Sequence, residues 1–231
     1  MALSWVGCAS RGPVEGEKVL NHTIERGETL EQIAEDYYGD AGRADDIARF
    51  NEISGGALAP GTVIRVSMTP DEMKELHYRK QARAPYNDGL ELASRGSYLE
   101  ATERFQQAVA FDRGFADAWF NLALTHQRMG VLDKAVDEYR KAVKLRPDNV
   151  DYRYALGGAF FHVERYRDAI ATFEKALKKN PKHRKSQYSL ALAFEKTGDT
   201  GRARAAWERY LELDSASEWA DEARRHVEAL R

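Results

Sequence analysis

The stretch ADAWFNLALTHQRMGVLDKAVDEYRKAVKLRP, residues 116–147, decides the fold. Within it Trp119, Leu122, Ala123 and His126 recur at intervals of three, one and three, the stripe of one helix face. Gly130 breaks that pattern. A second stripe runs through Leu132, Ala135, Val136, Tyr139, Ala142, Val143 and Leu145, and Pro147 prevents its continuation. Two short amphipathic helices joined by a glycine turn are therefore expected here.

The same pair recurs along the chain. A shift of 34 residues superposes Ala101, Ala135, Ala169 and Ala203, and also Phe105, Tyr139, Phe173 and Trp207. Gly89, Ala123, Gly157 and Ala191 form a third column, always small. Small residues let neighbouring helices approach closely while the aromatic column fills the space between them. Pro147 and Pro181 close two units; Arg113 and Ser215 stand at the equivalent places in the others.

This arrangement resembles the tetratricopeptide repeat (TPR). The match is carried by Trp119-Phe120-Asn121-Leu122-Ala123, with Gly130, Ala135, Tyr139, Ala142 and Pro147. The first unit is degenerate, with Pro85 where Trp119 stands in the second. After the last unit, Ser215 and Glu218 have capping-box spacing, and Trp219, Ala223, Val227 and Leu230 share one face, as a solvating terminal helix requires. The resemblance implies a groove that takes a protein partner as an extended peptide or a helix. Tyr86, Phe120, Tyr154 and Tyr188 recur one place after the core-facing column, and a helical step of about 100° turns them toward that groove. Asn87, Asn121 and Ser189, then Arg128, His162 and Lys196, are expected on the same face. Aromatic and cationic side chains together suit a peptide of acidic or C-terminal carboxylate character. Arg153 and Gln187 replace the tryptophan in two units, so Tyr154 and Tyr188 have a second reading as fillers of that gap.

Residues 18–68 follow a different order. Val19 to Ile24 is β-prone and Arg26-Gly27 is a turn signal. Thr29 and Gln32 have capping-box spacing before Leu30, Ile33, Ala34 and Tyr37. A shorter helix through Ala44, Ile47 and Ala48 ends near Asn51. Ala59-Pro60-Gly61-Thr62 fits a type II turn, and Val63-Ile64-Arg65-Val66 makes a second strand. This βααβ order resembles the lysin motif (LysM) domain, through Ile24-Glu25-Arg26-Gly27-Glu28-Thr29-Leu30, Tyr38-Gly39-Asp40, Ile47-Ala48-Arg49-Phe50-Asn51 and Leu58-Ala59-Pro60-Gly61-Thr62. Two departures stand out: Ala44 occupies a place where many members have tryptophan, and Glu28 one where aspartate is commoner. The resemblance implies binding of N-acetylglucosamine polymers such as peptidoglycan in a groove between two loops. Carried over, those loops hold Gly27, Glu28, Thr29 and Leu30, and Ile53, Ser54, Gly55 and Leu58. Thr29 and Asn51 also have a purely local use, as helix-terminating residues.

The expected architecture is mostly α. Residues 1–17 are a tail, 18–68 the LysM domain and 69–84 a helical connector that Pro85 interrupts. Residues 85–231 form a right-handed α-solenoid of four TPR-like helix pairs plus a C-terminal capping helix. Thr69, Pro70 and Glu72 give the connector its start signal, and a helix transmits orientation better than a flexible tether.

Charge and composition bound the function. Lys and Arg number 35 against 37 Asp and Glu, which disfavours a nucleic-acid binder held by bulk positive charge. Residues 1–70 carry 6 basic and 11 acidic side chains, so the acidity is concentrated in the first module. The lone cysteine excludes an intrachain disulfide. Apolar residues run up to Gly7-Cys8 and a polar stretch follows, which resembles a bacterial lipoprotein processing site and implies a lipid anchor at Cys8. The stretch is shorter than a signal core and has no basic residue, so an unstructured tail with a stray thiol is the alternative. The six histidines lie far apart, and neither a phosphate-binding loop nor a nucleophile elbow is present. A noncatalytic envelope adapter without cofactors is expected, periplasm-facing, with an outer-membrane lipoprotein as the form that a Cys8 anchor implies. Two alternatives stand beside it: an accessory subunit positioning a cell-wall enzyme, and a cytoplasmic assembly factor whose LysM fold no longer binds sugar.

Overall fold

Alternating apolar and polar side chains pair Lys18–Thr23 (β1) antiparallel with Val63–Met68 (β2), Leu20 opposite Val66 and His22 opposite Ile64. The computed structural model describes residues 16–54 and 58–230, so Cys8 lies outside the described residues. Between the strands run α1 (Leu30–Tyr38), a 3-10 turn over Ala41–Arg43, and α2 (Ala44–Phe50). Ile33 and Ala34 of α1 and Ile47 of α2 meet Ile24, Ile64, Val66 and Met68 in one buried core. The capping box forms as expected: Gln32 N–H donates to Thr29 Oγ1 at 3.3 Å, and Thr29 N–H to Gln32 Oε1 at 2.8 Å. Residues 59–62 close the expected turn, with Thr62 N–H on Ala59 O at 3.1 Å and φ of 85° at Gly61.

The chain divides into two compact units, Met1–Gln81 and Ala82–Arg231. Helix α3 (Pro70–Ser94) starts with the expected signal, Thr69 N–H donating to Glu72 Oε2 at 2.7 Å. It does not stop at Pro85, contrary to expectation. Pro85 is buried at the repeat position of Trp119, and this packing holds a helix that proline would break in solvent.

The second unit is a helical solenoid. It contains α4 (Tyr98–Phe111), α5 (Ala116–Arg128), α6 (Leu132–Leu145), α7 (Val150–His162), α8 (Tyr166–Lys179), α9 (Arg184–Lys196), α10 (Thr200–Leu213) and α11 (Glu218–Ala229). Each helix from α4 onward packs on the next, and α7 also packs on α9. The end of α3 with α4, then α5/α6, α7/α8 and α9/α10, are the four expected pairs, and α11 follows as the terminal helix. Its N-cap is Ser217, whose hydroxyl accepts from Ala220 N–H, rather than Ser215. Asp214 explains the shift: its carboxylate accepts from the Ser217 hydroxyl at 2.6 Å and from Tyr210 at 3.0 Å, fixing the turn two residues later. Ala223 of α11 is buried, but Trp219 is 58% exposed and does not share the inward face expected of it.

The repeat columns are contacts. Ala101, Ala135, Ala169 and Ala203 are all fully buried, as are Phe105, Phe173 and Trp207. The third column faces the aromatic one within each pair. A Cβ placed on Gly157 would lie 2.5 Å from the Phe173 ring, and one on Gly89 2.7 Å from Phe105. The neighbouring Gly158 has nothing within 4 Å of such an atom. Gly157→Ala is therefore expected to lower stability by about 1–2 kcal/mol through overpacking. Gly158→Ala is expected to raise it by about 0.5–1 kcal/mol through helix propensity. Denaturant unfolding of the two variants checks the opposite signs.

A further column escapes a search for apolar residues. The first helix of each pair ends in a left-handed residue: Gly96, Gly130 and Gly198 at φ 80°, 76° and 75°, but Glu164 at φ 60° in the third. An L side chain in that region costs about 1–2 kcal/mol. Glu164→Gly is expected to stabilise the chain by roughly 0.5–1 kcal/mol, the relief being partly offset by added freedom of the unfolded chain. Thermal unfolding of this single variant reads the effect.

Candidate functional site

In the first unit, two loops leave the core side by side because their bases are tied at Ile24. Ile24 N–H donates to Thr62 O at 2.9 Å, and Gly61 N–H donates to Ile24 O at 2.8 Å. Leu30 from the first loop and Ile53 and Leu58 from the second pack, half-buried, on the same core. Gly27, Thr29 and Ser54 are exposed, with Gly27 in the left-handed region at φ 83°. The fourth residue expected in the second loop, Gly55, lies outside the described residues.

Glu28 has a different use from that expected. Its Oε2 accepts from Glu25 N–H at 2.9 Å and bonds His22 Nε2 at 2.9 Å, while His22 Nδ1 meets the Tyr37 hydroxyl at 3.3 Å. Burial pushes the Glu28 carboxyl up, but the Glu25 amide and His22 outweigh it, and its pKa falls below the usual glutamate value. The carboxylate is turned inward and fixes the turn that carries Gly27 and Thr29. Its partners are the Glu25 amide within the turn and His22 of β1, which in turn meets Tyr37 of α1. Thr29 and Asn51 both take their local roles. Asn51 also does more: its side chain accepts from Arg65 N–H at 2.7 Å and donates to Arg65 O at 2.6 Å, behaving as a short strand beside β2. The second loop is thereby pinned at its start.

In the second unit, the first helices of the pairs share one pattern. Ala118, Leu122, Ala123, Thr125 and His126 of α5 are buried, leaving an arc with Phe120, Asn121, Leu124 and Arg128. Tyr86, Phe120, Tyr154 and Tyr188 each keep an open edge while packing on the core. Phe120 stacks on Tyr152 with centroids 4.8 Å apart, and Tyr188 meets Trp207, Tyr210 and Trp219 edge-on at 4.8, 5.3 and 5.3 Å. The rings of this column therefore pack on their neighbours while remaining partly exposed. Gln187 is satisfied by Ala206 O at 2.9 Å, whereas Arg153 Nη1 is buried with no hydrogen-bond partner.

The polar side chains of the arc divide. Asn121 donates to Tyr86 Oη at 3.2 Å and to Asp117 O at 2.8 Å. Asp117 also accepts from the Tyr152 hydroxyl and pairs with Arg146 at 3.3 Å. Burial, and then the Asp117 carboxylate, hold the Tyr86 phenol above its usual pKa. Asn87, Arg128, His162 and Lys196 are exposed, the last three within the final turn of their helices.

These geometries agree with known families. The LysM domain matches residues 22–67, and tetratricopeptide repeats match residues 89–130, 129–164 and 154–218. The photosystem I assembly protein Ycf3 of Cyanophora paradoxa is 37% identical over 71 residues, 29% of this chain and 41% of that protein. The TPR repeat-containing protein YpiA of Bacillus subtilis is 25% identical over 133 residues, 58% of this chain and 31% of that one. The chain thus spans less than half the length of either relative. MamA from Desulfovibrio magneticus superposes with a TM-score of 0.57 at 18% identity, covering 65% of this chain and 93% of that one. A tetratricopeptide repeat protein from Parabacteroides merdae gives 0.61 at 17%, covering 66% and 60%. At such identities the likeness is one of fold. The chain belongs to the tetratricopeptide-repeat family, with a LysM domain preceding its repeats.

Proposed function

We propose that the protein is a noncatalytic adapter of the cell envelope: its LysM cleft grips N-acetylglucosamine polymer of peptidoglycan, and its repeat groove recruits a protein partner. The observation that carries this reading is the joining of a glycan-family module and a peptide-groove module, both binding domains, in one chain. Between the loops, Leu30, Ile53 and Leu58 offer apolar contact for a sugar face and its acetyl methyl, and exposed Gly27 leaves room for close approach. Such a shallow cleft gains little per sugar, so several consecutive sugars are needed for useful affinity. Tethering two weak contacts on one chain then raises the effective concentration of the second at the wall. Lipidation at Cys8 is part of the same proposal and would place the chain in the outer membrane, facing the periplasm.

The word assembly in the name of the Ycf3 relatives supports a second reading, an assembly factor in which the LysM cleft no longer binds sugar. Sedimentation with purified peptidoglycan separates the two. The full chain is expected to pellet with the wall and to be released by soluble N-acetylglucosamine oligomers. Glu28→Gln, which weakens the inward anchor of the first loop, is expected to reduce pelleting about threefold to tenfold, as loss of a charge-assisted hydrogen bond implies. A chain that stays in the supernatant, with its fold verified by circular dichroism, contradicts the glycan reading and favours the assembly factor.

A further inference from the structure

The turns that join one helix pair to the next, at residues 112–115, 146–149, 180–183 and 214–217, lie at one end of the solenoid. Ion pairs tie the third of them to its neighbours. Lys179 reaches Asp148 at 2.5 Å, His183 reaches Asp151 at 3.4 Å, and Arg184 reaches Asp214 at 3.6 Å. Around that third turn the charge is one-sided. From Lys175 to Phe194 the chain has six lysines and arginines and neither aspartate nor glutamate. All six are exposed. Three acids from the adjoining turns engage Lys179, His183 and Arg184. Among the described residues, no carboxylate pairs with Lys175, Lys178, Lys182 or Lys185.

Arg153 is a further cation without an ion pair, and the repeat shows what is unusual about it. The shift of 34 residues relates Arg153 to Trp119 and Lys175 to Lys141. In the second unit these positions place a cation over an indole, with Lys141 Nζ 3.9 Å from the Trp119 ring centroid. In the third unit the same two positions hold two cations. The guanidinium is half-buried there, and its Nη1 is buried without a hydrogen-bond partner. The nearby Asp148 carboxyl is held below its usual pKa by Lys179 first and by Arg153 only weakly, so it is already spoken for. An anion arriving at this place relieves like-charge repulsion that the free protein carries. The same end of the solenoid is also partly apolar. The residues closing α4 and α6, Phe111 and Leu145, are 44% and 39% exposed, and Lys179 closes α8 at the same repeat position.

We propose that this end of the solenoid docks on an anionic phospholipid bilayer, with headgroup phosphates on Arg153, Lys175, Lys178 and Lys182 and with Leu145 and Phe111 entering the headgroup layer. A guanidinium suits a phosphate because its fork of N–H donors matches the oxygens. Lysine stems lie along apolar surface while their ammonium groups reach outward. The exposed phenylalanine and leucine select a bilayer over a soluble polyanion such as nucleic acid, which gives them nothing to enter. The surface uses no residue of the repeat groove or of the glycan cleft, so its failure leaves the adapter reading standing.

Flotation of the full chain with lipid vesicles tests the proposal, with Cys8→Ser included so that no lipid anchor contributes. Vesicles containing about one-third phosphatidylglycerol are expected to bind at least about tenfold more tightly than vesicles of phosphatidylcholine alone, with an affinity that falls as salt rises. Lys178→Gln combined with Lys182→Gln is expected to weaken binding about tenfold to thirtyfold, since each basic side chain at an anionic surface contributes about fivefold. Arg153→Gln alone is expected to weaken it about fivefold on the same scale. Leu145→Ser is expected to weaken it about threefold while leaving the salt dependence unchanged. Lys134→Gln combined with Arg167→Gln, exposed at the opposite ends of α6 and α8, is expected to change it by less than about twofold. Equal flotation with both vesicle types, or indifference to the lysine pair, overturns the proposal. Indifference to Arg153→Gln overturns the part given to that residue. Binding of soluble polyphosphate or duplex DNA by a chain that floats with neither vesicle overturns the bilayer as the occupant. A chain that binds none of these overturns the surface itself.

Discussion

The solenoid depends on one steric constraint: where the second helix of a pair presents a large ring, the first helix must present almost nothing. Gly89 against Phe105 and Gly157 against Phe173 show the limit, since even one added carbon would fall inside contact distance. Alanine takes the same place opposite Tyr139 and Trp207, where the pair accommodates its methyl group. Because the ring and the small residue lock the pair face to face, the rotation of each first helix about its axis is set. That rotation decides which residues remain outside. The arc of Phe120, Leu124 and Arg128 is open because Leu122, Ala123 and His126 are committed to the core. The groove chemistry is thus a consequence of packing one or two residues away.

The LysM unit holds its loops by hydrogen bonds rather than by rings. Ile24 ties the two loop bases through its own backbone, Glu28 clamps the first turn from within, and Asn51 fixes the start of the second loop to β2. A loop so constrained has less freedom to lose when a ligand binds, which matters most for a weak, shallow site. The inward orientation of Glu28 also changes the character of the cleft. What the two loops leave half-buried at their surface is apolar, Leu30 and Ile53 among them.

Much of this was legible in the residues because the controlling interactions are local and repeated. A fixed spacing exposed the alanine, aromatic and small columns, and capping chemistry placed the starts of α1 and α3. The misses have physical causes. Pro85 signals a break because its penalty is local while its compensation, burial in the stack, is tertiary. Ser217 caps α11 because Asp214 organises the turn before it, a bond pattern with no sequence periodicity. Glu164 is invisible to apolar pattern matching, since it keeps a glycine's backbone geometry without being glycine. Trp219 lies outside because α11 turns its buried face along Ala220 and Ala223. The engagement of Glu28 by His22 depends on strand and loop meeting in space, and the pairing status of Arg128, His162 and Lys196 is readable only once every neighbouring carboxylate has been located.

What unites the two modules is a frame whose own polar groups are largely satisfied within it. The functional account requires both sites to be occupied at once on the same molecule. Its most direct measurement is a bridging assay: a labelled acidic peptide is mixed with purified peptidoglycan, and the pelleted label is counted with and without the full-length protein. The account predicts label in the pellet only when the protein is present, in proportion to the protein bound. Release of the peptide as the wall becomes saturated, or protein in the pellet with no label, contradicts it.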